Sequence, residues 1–488
     1  MVTNQYFIST TKFTIPENKG NLIVSLGLCI WTDKLLNVTE IRNESCMFLL
    51  LGFFMHPDYP KKTNKEILTE LSLFVVLSTD FFQYFNQLVG RFVLIVKTEN
   101  DILVLNDPAG QRQVFYTFRG TDFHCTSSPK LLYDLMEMEF EIPKEKQEII
   151  NSKRFRLLEE WFPGDEYLDT NLKRLLPNFF INITEQEIKR IPFIVKDFDP
   201  DALKKYVFNQ VYGAMQACAF RFDKTLLAVT AGSDSRFILN CLPVDESIEY
   251  FIYKRESEND IDLKIATKLS QKKKINLLVI EPGKLSEPFF TFYKKQFLRP
   301  RILSKLRNLE WLMNHLKNSN TVIIAGYAGE MLRNSTNSIN PYHKKFENPE
   351  DFIDYLHYPK SEYLENSMNK WWKSLPEYLD NCQNLSPIDL FHWEHHMAPY
   401  CAQYAYEQDI TEVEIFCPLA NRQMILNLIH NTTIEERSAP NGLLYQIINE
   451  ASPEWKGIPY NPKPFIKMLK NNLFKALPLH IVNMIINR

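Results

Sequence analysis

The segment Leu226-Leu227-Ala228-Val229-Thr230-Ala231-Gly232-Ser233-Asp234-Ser235-Arg236-Phe237-Ile238-Leu239 constrains this chain more than any other. An apolar run passes into small residues, and a helical pattern begins around Asp234-Ser235. From Thr225 the order is strand, loop, helix, strand, helix, strand, and then mostly helices. Strands that alternate with helices pair in parallel, so the expectation is a doubly wound α/β core.

The small residues stand out because the chain has only 14 glycines in 488 residues, against a usual share of about 7%. Such scarcity excludes collagen-like, Gly/Ser-linker and Gly-rich-repeat classes. Each remaining glycine is expected where backbone geometry requires it. The length suggests two or three domains, and 45% hydrophobic residues are ample for real cores. A net charge of −3 gives no global basic field, so nucleic acid is not an expected partner. Met1-Val2-Thr3-Asn4-Gln5 lacks the start of a signal peptide. The longest apolar runs, Asn21 to Trp31 and Cys46 to Met55, fall short of the ~18 residues of a spanning helix. The expectation is a soluble, cytoplasmic protein with no transmembrane segment. No two of the eight cysteines form a C-x-x-C pair, so reduced, mostly buried thiols are expected rather than disulfides or a zinc ribbon.

The first part reads as α+β. Asn21 to Trp31, Cys46 to Phe54, Phe92 to Lys97, Ile102 to Leu105 and Val114 to Phe118 are strand-like runs. Helices start at Thr63-Asn64-Lys65-Glu66 and at Ser128-Pro129-Lys130. Two prolines bracket an irregular stretch from Ile191 to Pro200. A helix then begins at Asp201, with Leu203, Val207, Val211 and Met215 at four-residue spacing. The domain boundary is placed there, giving 1–195 and 196–488.

The loop after the first parallel strand suits phosphate. Small residues let backbone N–H groups approach it, and a helix N-terminus adds partial positive charge. Thr230, Ser233 and Ser235 add hydroxyls. Asp234 would repel a phosphate, so its presence makes sense if it holds Mg²⁺. Neither G-x-x-x-x-G-K-[ST] nor G-x-G-x-x-G occurs. The plain alternative is a strand-to-helix turn with a Ser/Asp cap.

Thr230 to Ser235 resembles the S-G-G-x-D-S loop of ATP pyrophosphatases. Gly232, Asp234 and Ser235 match, while Thr230 and Ala231 replace Ser and Gly. Thr321 to Arg333, with Gly326, Gly329 and Glu330, resembles the G-x-G-x-D-E loop of asparagine synthetases. Asp107, Gly110, Arg112 and Tyr116, after Gly90-Arg91-Phe92, resemble the glutaminase domain of the same family. Glu414 to Arg422 resembles its x-x-P-F-L-D-x-R segment. The resemblance covers roughly Leu50 to Phe465. It implies an α+β sandwich of the N-terminal-nucleophile (Ntn) hydrolase type. An α/β parallel-sheet domain of the adenine nucleotide alpha hydrolase type would follow, with a helical C-terminal part.

By that resemblance Thr230, Ala231, Gly232, Ser233, Asp234, Ser235, Ile252 and Gly326 bind ATP, the adenine lying near Phe251 and Ile252. Asp234 and Glu330 share Mg²⁺. Glu330 and Lys463 serve catalysis, with Lys467 and Lys456 as competitors for the lysine role. The family's glutaminase nucleophile is an N-terminal Cys whose α-amine is the base. Here that position is Val2, so glutaminase activity is expected to be lost. The implied reaction is ATP-dependent amide formation, with ATP and Mg²⁺ as cofactors. The partners would be a small-molecule, sugar or peptide carboxylate and ammonia or an amine, with a homodimer left open. The rival from another class is a non-catalytic nucleotide-binding or partner-binding relative. A tRNA-thiolation chemistry would call for cysteine pairs and a basic face, both missing.

His392 and His396 stand at i, i+4 and could pair on a metal. No third ligand is evident in the sequence, so surface or core histidines are expected. The chain after Glu454 carries lysines and an arginine but no acid, and is expected to end in a packed helix.

Overall fold

In a computed structural model of the chain, residues 2–14, 20–25, 27–157, 160–242, 247–255, 260–301, 305–316, 320–333, 346–438 and 441–462 are described. Lys463, Lys467 and the basic terminal stretch lie outside them.

The first strands are β1 (Tyr6–Ser9), β2 (Asn21–Ser25), β3 (Leu28–Thr32), β4 (Val38–Arg42), β5 (Met47–Met55) and β6 (Val89–Lys97). They are followed by β7 (Ile102–Asn106), β8 (Phe115–Arg119), β9 (Asp122–Thr126), β10 (Lys173–Arg174), β11 (Phe179–Asn182) and β12 (Glu187–Arg190). They form two antiparallel sheets, in the orders β10-β8-β9-β1-β3-β2 and β12-β11-β7-β6-β5-β4.

Strand period two explains how these sheets stack. On β5, Met47, Leu49 and Leu51 face a core shared with Tyr6, Ile8, Ile30, Tyr116 and Cys125 of the other sheet. The intervening Phe48, Leu50 and Phe54 pack instead with Ile67, Leu68 and Leu71 and with Phe81, Phe82 and Phe85. Those six residues belong to the helices Asn64–Leu71 and Thr79–Phe85. The far face of the first sheet, with Phe7 and Phe115, packs on Leu132 and Tyr133 of the helix Pro129–Leu135. The central strands of both sheets are therefore buried on both faces, in an α-β-β-α stack. The helix starts follow local chemistry. Thr63 and Glu66 close a reciprocal capping box, and Ser128 caps a helix whose first residue is Pro129.

The apolar run Asn21 to Trp31 is not one strand but a hairpin. Ser25 pairs with Leu28, and Gly27 takes φ +76°, which a side chain would resist.

After Arg190 the antiparallel pairing ends. The helix Pro200–Arg221 follows, capped by Asp199, with Leu203, Val207, Val211 and Met215 buried as the spacing required. The third sheet is wholly parallel. Its strands are β13 (Lys224–Ala228), β14 (Ile248–Tyr253), β15 (Leu277–Ile280), β16 (Thr321–Ile324) and β17 (Glu414–Phe416). The order is β15-β14-β13-β16-β17. The chain runs outward from β13 to β15, then returns to the other side of β13. Helices cover both faces. Leu227, Ile252 and Ile324 pack with the helices Pro200–Arg221 and Ser233–Asn240. Leu226, Phe251 and Ile323 pack with Phe289, Leu309 and Tyr406 on the other face.

All eight cysteines are free and six are buried. No helix among the described residues is long and apolar enough to cross a membrane.

Candidate functional site at the switch point

The reversal of strand order falls between β13 and β16, and open α/β sheets bind ligands outside the carboxyl ends of such strands. Two loops emerge there side by side, because Leu227 of β13 pairs with Ile324 of β16. The loop after β13 leads through Thr230–Gly232 into the helix Ser233–Asn240, with Gly232 as its N-cap. The loop after β16 leads through Gly326 into the short helix Gly329–Leu332.

The two loops touch through Asp234. A Cβ on Gly329 would lie 2.3 Å from Asp234 Cγ, and one on Gly326 would lie 3.1 Å from its Cβ. Neither glycine has a positive φ, so close approach alone requires them. The first loop is knotted by its own hydroxyls. Thr230 Oγ1 and Ser235 Oγ lie 2.8 Å apart, and the Gly232 N–H donates to Thr230 Oγ1 at 3.2 Å. The Ala231 N–H donates to Asp262 Oδ1 at 2.6 Å, so that amide is already occupied. The helix's first-turn amides, beginning at Ser233, are those an α-helix leaves without an internal acceptor.

The terminal described segment covers this loop. Arg236 donates to the carbonyls of Ala231, Ile458 and Pro459 and lies over the Tyr460 ring. The Asn461 N–H reaches Ala231 O at 3.1 Å.

The acids of the site have basic partners. Arg333 Nε and Nη2 each lie 2.8 Å from an oxygen of Asp234. Glu330 Oε2 lies 2.9 Å from His392 Nε2, and Arg333 Nη2 is 3.9 Å from Glu330 Oε1. Burial alone would raise the Glu330 carboxyl. The hydrogen bond from His392 and the charges of His392, His396 and Arg333 outweigh it and hold the group at about 2. Burial likewise works against Arg333, but its bonds to Asp234 and the charges of Asp234 and Glu330 raise it overall. The His396 imidazole is pushed down to about 3, by burial and by the charge of His392, with Glu330 opposing.

The expected sharing of one Mg²⁺ by Asp234 and Glu330 does not fit this arrangement. Asp234 has both oxygens on Arg333, and Glu330 is drawn to two imidazoles. Mg²⁺ takes oxygen donors and water, and such a donor set does not suit it. Thr230 to Ser235, Gly326 and Glu330 are brought together at the strand ends, whereas Ile252 is buried within β14. Lys463 lies outside the described residues.

The sequence reading missed the third partner of the histidine pair. Glu330, His392 and His396 place donor atoms within 4.8 Å of one another. The histidines sit on an eleven-residue π-helix, His392–Ala402, a geometry often found at functional sites.

The N-terminal motif residues are structural supports that reach the same region. Asp107 accepts the N–H groups of Ala109, Gln111 and Arg112. Tyr327, in the loop after β16, donates its hydroxyl to Gln111 Oε1 at 2.6 Å. Arg91 and Arg112 both bind Glu414 of β17, at 2.9 and 2.8 Å. Val2 is buried in the apolar cluster on one face of the parallel sheet.

No family model matches the chain, and no curated protein matches it. Among solved structures it is similar to an NH3-dependent NAD synthetase from Campylobacter jejuni. The identity is 12% and the TM-score 0.22, over 41% of this chain and 94% of that one. An NMN synthetase from Francisella tularensis matches at 11% identity and TM-score 0.20, over 55% of this chain and 100% of that one. A glutamine phosphoribosylpyrophosphate amidotransferase from B. subtilis matches at 11% and 0.20, over 66% and 69%. Likeness at this level does not define a family. The fold and site define a mixed α/β protein with two antiparallel sheets, a parallel sheet, and two loops meeting at its switch point.

Proposed function

We propose that the chain is an ATP-dependent amide-forming ligase of the asparagine synthetase type, with residues 1–195 an Ntn-type domain and residues 196–488 an ATP pyrophosphatase domain. The observation that carries this is the contact of Asp234 with Gly326 and Gly329, which joins the two motif loops at the ends of adjacent parallel strands. The α-β-β-α stacking of the first two sheets supports the first assignment.

ATP, as its Mg²⁺ complex, is the substrate. A carboxylate oxygen of the acceptor attacks the α-phosphorus, and pyrophosphate leaves with the electron pair of the broken P–O bond. An amine or ammonia nitrogen then attacks the acyl carbon. It loses a proton as AMP departs, and the amide remains. The hydroxyls of Thr230, Ser233 and Ser235 and the first-turn amides meet the pyrophosphate, while Arg333 stands ready to neutralise phosphate charge. Lys463, outside the described residues, is by the resemblance the candidate for stabilising charge during amide formation. Val2, at the position the resemblance gives to the nucleophile, carries no thiol and is buried, and this reading takes ammonia or a substrate amine as the nitrogen source.

The test is release of AMP and pyrophosphate from ATP across a carboxylate panel, with ammonia or glutamine supplied. Turnover with ammonia and none with glutamine is expected, and Asp234→Asn, which weakens the hold on Arg333, should lower it. Two observations favour a second reading, a non-catalytic nucleotide-binding relative: the Ala231 amide is capped by Asp262, and Asp234 is held by Arg333. ATP binding without any pyrophosphate release would decide for it.

A further inference from the structure

We propose that Glu330, His392 and His396 form a binding site for a first-row divalent transition metal, with Zn²⁺ the best-matched ion. The proposal does not rest on the ligase reading.

Three donors from two separate elements converge. Glu330 comes from the short helix after β16, and the histidines come from the π-helix. Their donor atoms all lie within 4.8 Å of one another. Four donors about 2.0–2.1 Å from a tetrahedral ion lie about 3.3 Å apart. The His392–Glu330 pair is already at 2.9 Å, so a small side-chain adjustment at His396 closes the set.

The two imidazole rings are 4.6 Å apart and inclined by 30°. Both stand on the same side of the π-helix, and Trp161 stands edge-on 5.8 Å from His396. His392 is only 2% exposed, and its Nδ1 makes no hydrogen bond among the described residues. Nε2, the nitrogen turned to Glu330, is the donor this ring offers to the ion.

The donor set selects the ion. Two imidazoles and one carboxylate suit Zn²⁺ and its first-row neighbours, whereas Mg²⁺ prefers oxygen ligands and keeps its waters. Three protein ligands leave at least one position open, for water or an anionic oxygen of a substrate. Arg333, 3.9 Å from Glu330, would draw such an anion to the same place.

The full-length protein, stripped with a chelator, should be titrated with Zn²⁺ against a chromophoric competitor. One tight Zn²⁺ per chain is expected, with a rise in Tm as the free ion exceeds its Kd. A large excess of Mg²⁺ should not displace it. Glu330→Gln, His392→Gln and His396→Gln should each weaken binding by at least about 100-fold, since losing even a partner one step removed from the ion costs about 10- to 100-fold. His430→Gln, which alters a histidine paired with Asp197 elsewhere, should bind as the parent does. Co²⁺ added to the unsubstituted protein should give the visible absorption of a low-coordinate site, which tests the proposal even if a variant fails to fold. Absence of that absorption, Zn²⁺ binding unchanged in all three variants, or displacement by Mg²⁺ would each overturn it. ATP need not be present, so loss of ligase activity and loss of metal binding are read separately.

Discussion

Arg333 closes a two-pronged ion pair on Asp234, with Nε and Nη2 each 2.8 Å from a different carboxylate oxygen. Bidentate geometry is the strong form of this pairing, and it fixes the loop after β13 against the loop after β16. The side chains are only 25% and 17% exposed, so removing one leaves a charge poorly solvated. Arg333→Ala should cost about 1–3 kcal/mol of stability, read by urea denaturation. On the ligase reading, pyrophosphate release should also fall at least tenfold, and full activity in Arg333→Ala would argue against an arginine role at phosphate.

Gly329 tests the same contact by sterics. An added Cβ would meet Asp234 Cγ at 2.3 Å and Oδ1 at 2.6 Å. Its φ is not positive, so backbone strain plays no part. Gly329→Ala should push Asp234 off Arg333 and destabilise by about 1–3 kcal/mol, as overpacking does. Combined with Asp234→Ala, which removes the carboxylate but keeps the Asp234 Cβ at 2.8 Å, the second substitution should cost less, though not nothing. Strict additivity in that double-mutant cycle would show the two residues do not meet.

How legible was this arrangement? The β13 unit reads directly from its sequence, because an apolar strand, small residues and a polar helix start each impose one local geometry. The helix from Pro200 also reads directly, since four-residue spacing of Leu203 to Met215 leaves one buried face. The hairpin within Asn21 to Trp31 does not, because both of its strands are apolar and only Gly27 punctuates them. β17 is three residues long, below what periodicity detects, although its Glu414 anchors two arginines. The π-helix at His392 hides because its hydrogen-bond spacing differs from the period by which helices are recognised, and Pro399 lies inside it. The third metal donor, Glu330, comes from a distant strand end, and only the topology reveals it.

Glu414 is the joint between the antiparallel sheets and the parallel one. It accepts from Arg91 and Arg112, whose guanidinium groups are 1% exposed. Arg91 keeps Asp409 at 2.7 Å when Glu414 is lost, whereas Arg112 keeps the Asn4 carbonyl and no carboxylate hydrogen bond, only the charge of Asp409 nearby. Glu414→Ala therefore strands a buried cation, and should cost about 3–5 kcal/mol. Arg112→Met in the same chain should recover part of that loss, because the stranded charge is gone. Equal stability of the single and double variants in denaturant would show that the arginine is not the reason.

His56 provides a pH test remote from the site. It is 2% exposed, and its Nδ1 accepts the Asp58 N–H at 3.2 Å. Burial lowers its imidazole below the ordinary 6.5. Asp58 and Glu70 pull the other way, while Lys62 adds to the lowering. Tyr59 and Tyr84 pack on the ring at 4.9 and 5.3 Å and complete its surroundings. With the folded value below the unfolded one, the unfolded chain binds the proton more readily. Stability from this group is therefore fully present above about pH 6.5 and declines as pH falls toward the folded value. In His56→Gln the amide carbonyl can still accept the Asp58 N–H but does not titrate. Its Tm should fall less than the parent's between pH 7.5 and 5.5, even if it starts lower. Parallel Tm curves for the two proteins would mean that His56 gains its proton as easily folded as unfolded, against its burial.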